Sequence, residues 1–262
     1  MKLSCFECGQ PITAPGVSDL GDAMLAHARS EHDWPYPDQS IRQSTLNYAG
    51  ATQRLTGATE RLRAIDDPVI HPVTSDRIDD WIRFFDHDAF AGNPEWADCY
   101  CLEPHVKAAG EEEEDRVAPW QENRAAMTDL LTSGSAFGYL AYVDDRPAGW
   151  VNASIRSEYG SYYQPEDEDA PVDAEVVGVS CFIIAPPYRR HGLAGNLLDR
   201  VIRDAPERGA GWVEGYPLNE PKGSDAHNYR GPRSMYDERG FEPAEVRTAD
   251  TIVRRKVGSI ES

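Results

Sequence analysis

The sequence predicts an α/β (α+β) domain, a mixed sheet flanked by helices, preceded by a small module. Three features predict it. From Pro68 onward, short apolar runs that read as strands alternate with stretches of helical periodicity. Residues 176–184 are almost entirely apolar or small, the composition of a strand buried on both faces. After them, Leu193, Leu197, Leu198, Val201 and Ile202 share one side of a helix. A chain of 262 residues that is 40% apolar and 10% aromatic can supply the core such a domain needs.

In chain order, residues 1–40 form a module ending in Trp34-Pro35-Tyr36-Pro37, where the prolines force extended backbone. Residues 41–66 carry Ile41, Thr45, Tyr48, Leu55, Leu62 and Ile65 at helical spacing, weakened by Gly50 and Gly57, and read as a helical linker. The main domain spans 67–262. Val69 to Val73 is a strand, and Thr74 or Ser75 then caps a helix with Ile78, Trp81, Ile82 and Phe85 on one face. Trp120 to Leu131 is a second helix. Residues 136–143 and 148–155 flank Asp144-Asp145-Arg146-Pro147 as a hairpin. The buried strand 176–184 and the helix 193–202 follow. A strand over 211–216, a short helix around Ser234 to Arg239, and strands near Phe241 and over 251–257 complete the domain.

The net charge of −19 is unevenly placed. Residues 1–66 carry −2, residues 67–180 carry −18 and residues 181–262 carry +1. Only the last segment can hold a polyanion without opposing its own field, and the middle attracts cations and repels nucleic acid. The run Glu111 to Glu114 is by itself an ordinary solvated charge block. No apolar run approaches a membrane span, and the start at Met1 lacks a signal-peptide core, so a soluble, cytoplasmic protein is expected. Five cysteines, an odd number, then read as thiols or metal ligands rather than a disulfide framework.

The most informative stretch is Cys181-Phe182-Ile183-Ile184-Ala185-Pro186-Pro187-Tyr188-Arg189-Arg190-His191-Gly192-Leu193-Ala194. A buried strand ends at proline and turns through basic and small residues into an amphipathic helix. The unpaired N–H groups at such a helix start, with the positive end of its dipole, form an anion site. Gly192 and Ala194 let a phosphate approach, and Arg189 and Arg190 add charge. Neither Gly-x-Gly-x-x-Gly nor Gly-Lys-Ser/Thr occurs, which sets aside Rossmann and P-loop sites. Further on comes Met235-Tyr236-Asp237-Glu238-Arg239-Gly240-Phe241.

Together these residues resemble the GNAT superfamily of acetyl-CoA-dependent N-acetyltransferases. Its signature is a strand ending in Val-x-Pro, then (Arg/Gln)-x-x-Gly-x-(Gly/Ala), and later a Tyr four residues before Gly-Phe. The order of strands and helices from Val69 to Val257 is also similar. The resemblance implies that Phe182, Ile183 and Ile184 line the pantetheine and thioester of acetyl-CoA. Arg189, Arg190, His191, Gly192, Leu193 and Ala194 would hold its phosphates, mostly by backbone. Tyr236 matches the family's proton donor to the departing thiolate, and a strand N–H near Ile184 would stabilise the oxyanion. Glu175 is the candidate base, with Asp173, Glu158 and Glu214 as competitors. Asn228, eight residues before Tyr236, resembles the family's Asn that contacts the cofactor or the proton donor.

The pieces that build the family's acceptor pocket bear the charge of −18, which suits an acceptor that is a cationic amine. Polyamines, aminoglycosides and basic peptides qualify, and Trp81, Phe84, Phe85, Trp96, Trp150, Asn152, Glu214 and Tyr216 are candidate linings. Cys99-Tyr100-Cys101 with His105 offers three metal ligands, one short of a closed zinc site. A strand with two buried thiols, followed by a loop carrying His105, is the preferred reading.

In the N-terminal module, Cys5-Phe6-Glu7-Cys8-Gly9 is a tight turn that places two thiolates on one side, and a helix over 20–30 leads through His27 to His32. The pattern Cys-x2-Cys-x18-His-x4-His resembles a Cys2His2 zinc finger with a long spacer. Four protein ligands, Cys5, Cys8, His27 and His32, make the expected Zn2+ structural, a staple for a piece too small to fold without one. The module's charges, Lys2 and Arg29 against Glu7, Asp19, Asp22, Glu31 and Asp33, oppose phosphate contacts. Acetylation of a cationic small molecule is therefore expected. The alternatives are a protein or peptide N-acetyltransferase whose finger recruits the target, and a non-catalytic acyl-CoA-binding module.

Overall fold

The fold is taken from a computed structural model, which describes residues 2–5, 7–15, 17–34, 38–39, 41–42, 45, 68–90, 93, 96–105, 120–160, 163–167 and 169–258. Most of the expected helical linker and the Glu111 to Glu114 run lie outside the described residues.

The N-terminal module opens with two strands too short to be seen in the sequence pattern, β1 (Lys2–Ser4) and β2 (Pro11–Thr13), paired antiparallel. Between them Cys5 N–H donates to the Gln10 carbonyl and Gly9 N–H to the Cys5 carbonyl, each at 2.8 Å. Gly9 has φ +73°, a conformation that costs a side chain about 1–2 kcal/mol, and it turns the chain back. Helix α1 (Val17–Glu31) then packs Leu20, Met24, Leu25 and Ala28 against Leu3, Cys5 and Ile12. Trp34 and Ile41 complete this small core.

The main domain is a seven-stranded sheet. Its strands are β3 (Val69–Pro72), β4 (Gly138–Val143), β5 (Arg146–Ile155), β6 (Val176–Ile184), β7 (Trp212–Gly215), β8 (Glu242–Val246) and β9 (Thr251–Lys256), in the order β3-β4-β5-β6-β7-β9-β8. Only β6 and β7 run parallel, and the helix between them is the crossover that a parallel pair requires. The hairpin from β4 to β5 turns through Asp144 and Asp145, both at positive φ, the two-residue turn that matches strand twist. It is shorter than expected: Arg146 and Pro147 already belong to β5, and Pro147 sits where the pairing register shifts.

Helices α2 (Ile78–His87) and α3 (Trp120–Ser133) cover one face, and α4 (Leu193–Asp204) covers the other. Adjacent residues of β5 show the two sides. Trp150 packs on Trp81 of α2, with ring centroids 6.1 Å apart, while Gly149 lies under Leu193 and Leu197 of α4. α2 buries Trp81, Phe84 and Phe85, so its inner face is shifted from the expected one, with Ile78 and Ile82 only partly buried. α4 buries Leu193, Leu197, Leu198 and Val201, each worth about 1.5–3 kcal/mol of apolar burial. Helix α5 (Arg233–Asp237) buries Met235 and Tyr236 beside β7.

The Cys99-Tyr100-Cys101 segment is not the expected strand. It is a turn, with Tyr100 at φ +45° and Cys101 at φ +51°.

Candidate active site

The site begins where the central strands part. β6 pairs with β7 only from Val176 opposite Trp212 to Val179 opposite Gly215. At that point β6 carries a bulge: Val179 faces Ala153 and Cys181 faces Asn152, leaving Ser180 as the extra residue. The bulge changes which residues face which helices. Before it, Gly178 lies against the Tyr159 ring on the α2 side; after it, Cys181 is on that side, its Sγ 3.5 Å from Cys101 Sγ. Phe182 and Ile184 thereby turn toward α4. The freed edge of the strand is partly occupied, because Phe182 N–H donates to the Tyr229 carbonyl at 2.6 Å. By strand alternation, Ile184 presents its N–H to the same edge.

Beyond Ile184 the chain turns through Pro186–Tyr188 into α4. Arg189 Nε donates to the Ile184 carbonyl at 2.9 Å, which fixes this arginine against the strand end. Burial lowers the affinity of Arg189 for its proton, and it remains a cation. Arg190 has φ +67° and Gly192 φ +79°. The first N–H to bond within the helix is that of Asn196, to the Gly192 carbonyl, so the N–H groups of residues 193–195 stand ahead of the ladder.

A cleft of about 510 Å³ runs along this strand end and turn. Phe182, Ile183, Ile184, Arg189, Arg190, Gly192, Leu193 and Ala194 all line it. Of the motif residues, His191 is exposed and not among the lining residues. The opposite wall comes from Trp96, Tyr229, Met235 and the loop through Asp225 and Asn228. Arg190, 82% exposed, reaches Asp225 across the mouth at 3.3 Å. The Asn228 side chain serves the loop itself: it accepts from Lys222 N–H and donates to the carbonyls of Lys222 and Ser224. Asn228 is thus part of the cleft wall.

Tyr236 stands one residue from the cleft lining and is fully buried. Its ring lies against Gly215, where an added Cβ would come within 2.3 Å, and its hydroxyl donates to the Arg230 carbonyl at 2.8 Å. Burial pushes its phenol up, so it holds its proton across the neutral range. Glu175 is not brought to the site. It is exposed at the opposite end of β6, nine residues and about 30 Å from Ile184. Among its competitors, Glu214 is buried between Arg156 at 2.9 Å and Arg254 at 2.8 Å, and Asp173 pairs with Arg156 at 2.8 Å. These carboxylates neutralise buried arginines.

Of the aromatic residues expected around an acceptor, Trp96 lines the cleft. Trp81, Phe84, Phe85, Trp150 and Tyr216 are core. Asn152 is buried on the α2 side, donating to the Cys101 carbonyl at 3.0 Å, and its Oδ1 accepts from Tyr159 and meets His105 Nε2, each at 3.2 Å. His105 thus belongs to an amide network, and burial lowers its pKa and keeps it neutral at neutral pH. Sequence reasoning missed Tyr229 and Asp225, which lie in a loop without periodicity.

In the N-terminal module, one ligand atom from each of Cys5, Cys8, His27 and His32 lies within 4.8 Å of all the others. Cys5 Sγ is 3.3 Å from His32 Nε2, Cys8 Sγ is 3.4 Å from His27 Nε2, and the two Nε2 atoms are 3.2 Å apart. Bonds of about 2.0–2.3 Å to a tetrahedral ion put its ligand atoms about 3.3–3.8 Å apart, and these three separations lie at the short end of that range, so the S2N2 donor set suits zinc.

A mixed sheet opened at one parallel pair, with a basic strand-to-helix turn at the opening, is the architecture of a GNAT-type acyltransferase. Residues 96–221 match the acetyltransferase (GNAT) family, and the chain is an acyltransferase. The match contains the whole motif and ends before Tyr236. Similar solved structures include the PaiA N-acetyltransferase of Thermoplasma acidophilum in complex with coenzyme A, at TM-score 0.44 and 14% identity over 72% of this chain and 99% of that one. The GNAT domain of S. lividans PAT gives 0.45 and 13%, over 72% and 90%. An acetyltransferase of Thermus thermophilus gives 0.43 and 15%, over 74% and 99%. No curated protein matches the sequence.

Proposed function

We propose that this acyltransferase moves an acetyl group from acetyl-CoA to the amine of a cationic small molecule. The observation that carries the reading is the cleft: an opened strand edge leads directly to the positive start of α4, with Arg189 and Arg190 beside it. In this reading the pantetheine arm runs along Phe182, Ile183 and Ile184, and the phosphates meet the N–H groups of residues 192–194. The neutral amine attacks the thioester carbonyl from the side of Trp96. The Ile184 N–H supports the oxyanion, and the departing thiolate takes its proton from Tyr236, whose hydroxyl swings from the Arg230 carbonyl to do so. Glu175 is too far away to serve as base, so the amine gives up its proton to water in the cleft. The acidic middle of the chain favours an acceptor that arrives as a cation.

The same reading gives the N-terminal module a structural Zn2+ held by Cys5, Cys8, His27 and His32. All four positions are protein ligands, so the ion would fold the module and take no part in the transfer.

Thiol release from acetyl-CoA, followed with the purified protein and corrected for an acceptor-free blank, tests the transfer. Turnover is expected with polyamines or aminoglycosides. Turnover confined to basic peptides would replace the small-molecule acceptor with a protein. Silence with both, despite measured acetyl-CoA binding, would overturn the assignment of donor or acceptor.

A further inference from the structure

We infer that Glu7 is a positioning residue of the N-terminal metal site, orienting His32 as a ligand and tying the site to Trp34. The inference rests on the zinc reading above and concerns a residue that the ligand pattern does not include. Glu7 lies within the Cys5-to-Cys8 turn, and its carboxylate is 3.3 Å from His32 Nδ1. The same Oε2 atom accepts the Trp34 indole N–H at 2.5 Å. Trp34 in turn stacks on the His32 ring, with centroids 5.4 Å apart and planes 11° apart. His32 is therefore held in its plane by Trp34 and in its rotation by Glu7.

The chemistry follows from the two ring nitrogens. A carboxylate 3.3 Å from Nδ1 favours the tautomer that carries its proton there, which leaves the lone pair on Nε2. His32 Nε2 is the atom that faces Cys5 Sγ and His27 Nε2, where the ion would sit. The carboxylate thus selects the binding tautomer and raises the basicity of the ligand. Because Glu7 also holds Trp34, the metal site fixes the residue from which the chain leaves the module. Arg29 reinforces this exit by donating to the Trp34 carbonyl at 2.7 Å and pairing with Asp38 at 2.9 Å.

The test uses the full chain, Glu7→Gln, and Glu31→Gln as a control that removes an equal charge beside His32 without touching the ring. Cobalt(II) titration of the unmodified chain should give the absorption of a tetrahedral sulfur–nitrogen site. Its failure to do so would overturn the zinc reading itself. Zinc affinity is then measured by chelator competition. Glu7→Gln is expected to weaken zinc binding about 10–100-fold, the usual effect of losing an outer carboxylate, with the cobalt spectrum unchanged in shape. The His32 Nδ1–H proton resonance, protected in the zinc-loaded chain, should broaden by exchange in Glu7→Gln. A loss under about threefold, or an equal loss in Glu31→Gln, would overturn the inference while leaving the metal site in place.

Discussion

Replacing Tyr236 by Phe separates its chemical role from its structural one. The ring stays, packed between Gly215 and Gly231, so no cavity forms. What disappears is the hydroxyl that donates to the Arg230 carbonyl at 2.8 Å in a fully buried setting. Leaving a buried acceptor without this partner costs about 1–3 kcal/mol. In a domain of this size each 1 kcal/mol lowers the melting temperature by about 2–4 °C. If the phenol also protonates the departing thiolate, kcat should fall about 10²–10⁴-fold. The Kd for acetyl-CoA should not change, because Tyr236 does not line the cleft. The assay pairs thermal unfolding with thiol release and acetyl-CoA titration on the same preparation. A lower melting temperature with turnover within twofold of the parent would refute the proton-donor role and leave Tyr236 a packing residue.

Other changes test other parts of the site. Gly192→Ala meets no atom within 4 Å but must hold φ +79°, at about 1–2 kcal/mol; acetyl-CoA binding should weaken about five- to thirtyfold in calorimetry if the loop relaxes to escape the strain. Asp225→Asn removes a carboxylate that competes with phosphate for Arg190, and should tighten coenzyme A binding about two- to fivefold at low salt. Gly215→Ala drives a methyl to within 2.3 Å of the Tyr236 ring and should destabilise the domain by about 1–3 kcal/mol in denaturant unfolding. Asp98 is buried, and burial raises its carboxyl to about 6. A folded pKa above the unfolded 3.8 means the native state holds the proton longer, so stability contributed by this group falls as pH rises from about 4 to 6. Asp98→Asn should flatten that slope and stabilise the protein at pH 7 by about 1–3 kcal/mol in urea titrations.

How far the sequence could be read depended on whether a residue's role was local. The strand from Val176 to Ile184 and the start of the helix at Leu193 were legible, because burial on both faces and a one-sided leucine stripe are written in consecutive residues; the helix runs two residues beyond its expected end at Ile202. The motif between them is equally local, and eight of its residues border the cleft. Glu175 was misplaced because a strand's direction and length, not its composition, decide which end meets the site. Glu214 looked like a free carboxylate until Arg156 and Arg254, far away in sequence, closed around it. The Cys99-to-Cys101 turn was read as a strand because its positive φ values fall on Tyr and Cys, residues that give no warning of them. The Tyr229 carbonyl at Phe182 N–H is a backbone contact and has no side-chain signature at all.

The bulge at Ser180 makes β6 sensitive to counting. A strand of alternating faces has a phase, and this one changes phase in its middle so that Val177 and Phe182 can both look toward α4. Many small side chains would serve at position 180, since what the position supplies is one additional residue. Deleting it would leave Val179 facing Ala153 and Cys181 facing Asn152, and would remove only the bend and extra twist that the bulge adds where β6 parts from β7. Phe182 and Ile184 would still look toward α4, but the straightened strand would run on beside β7 and close the opening where a ligand enters. A single-residue deletion here should therefore damage the enzyme more than any substitution at the same place.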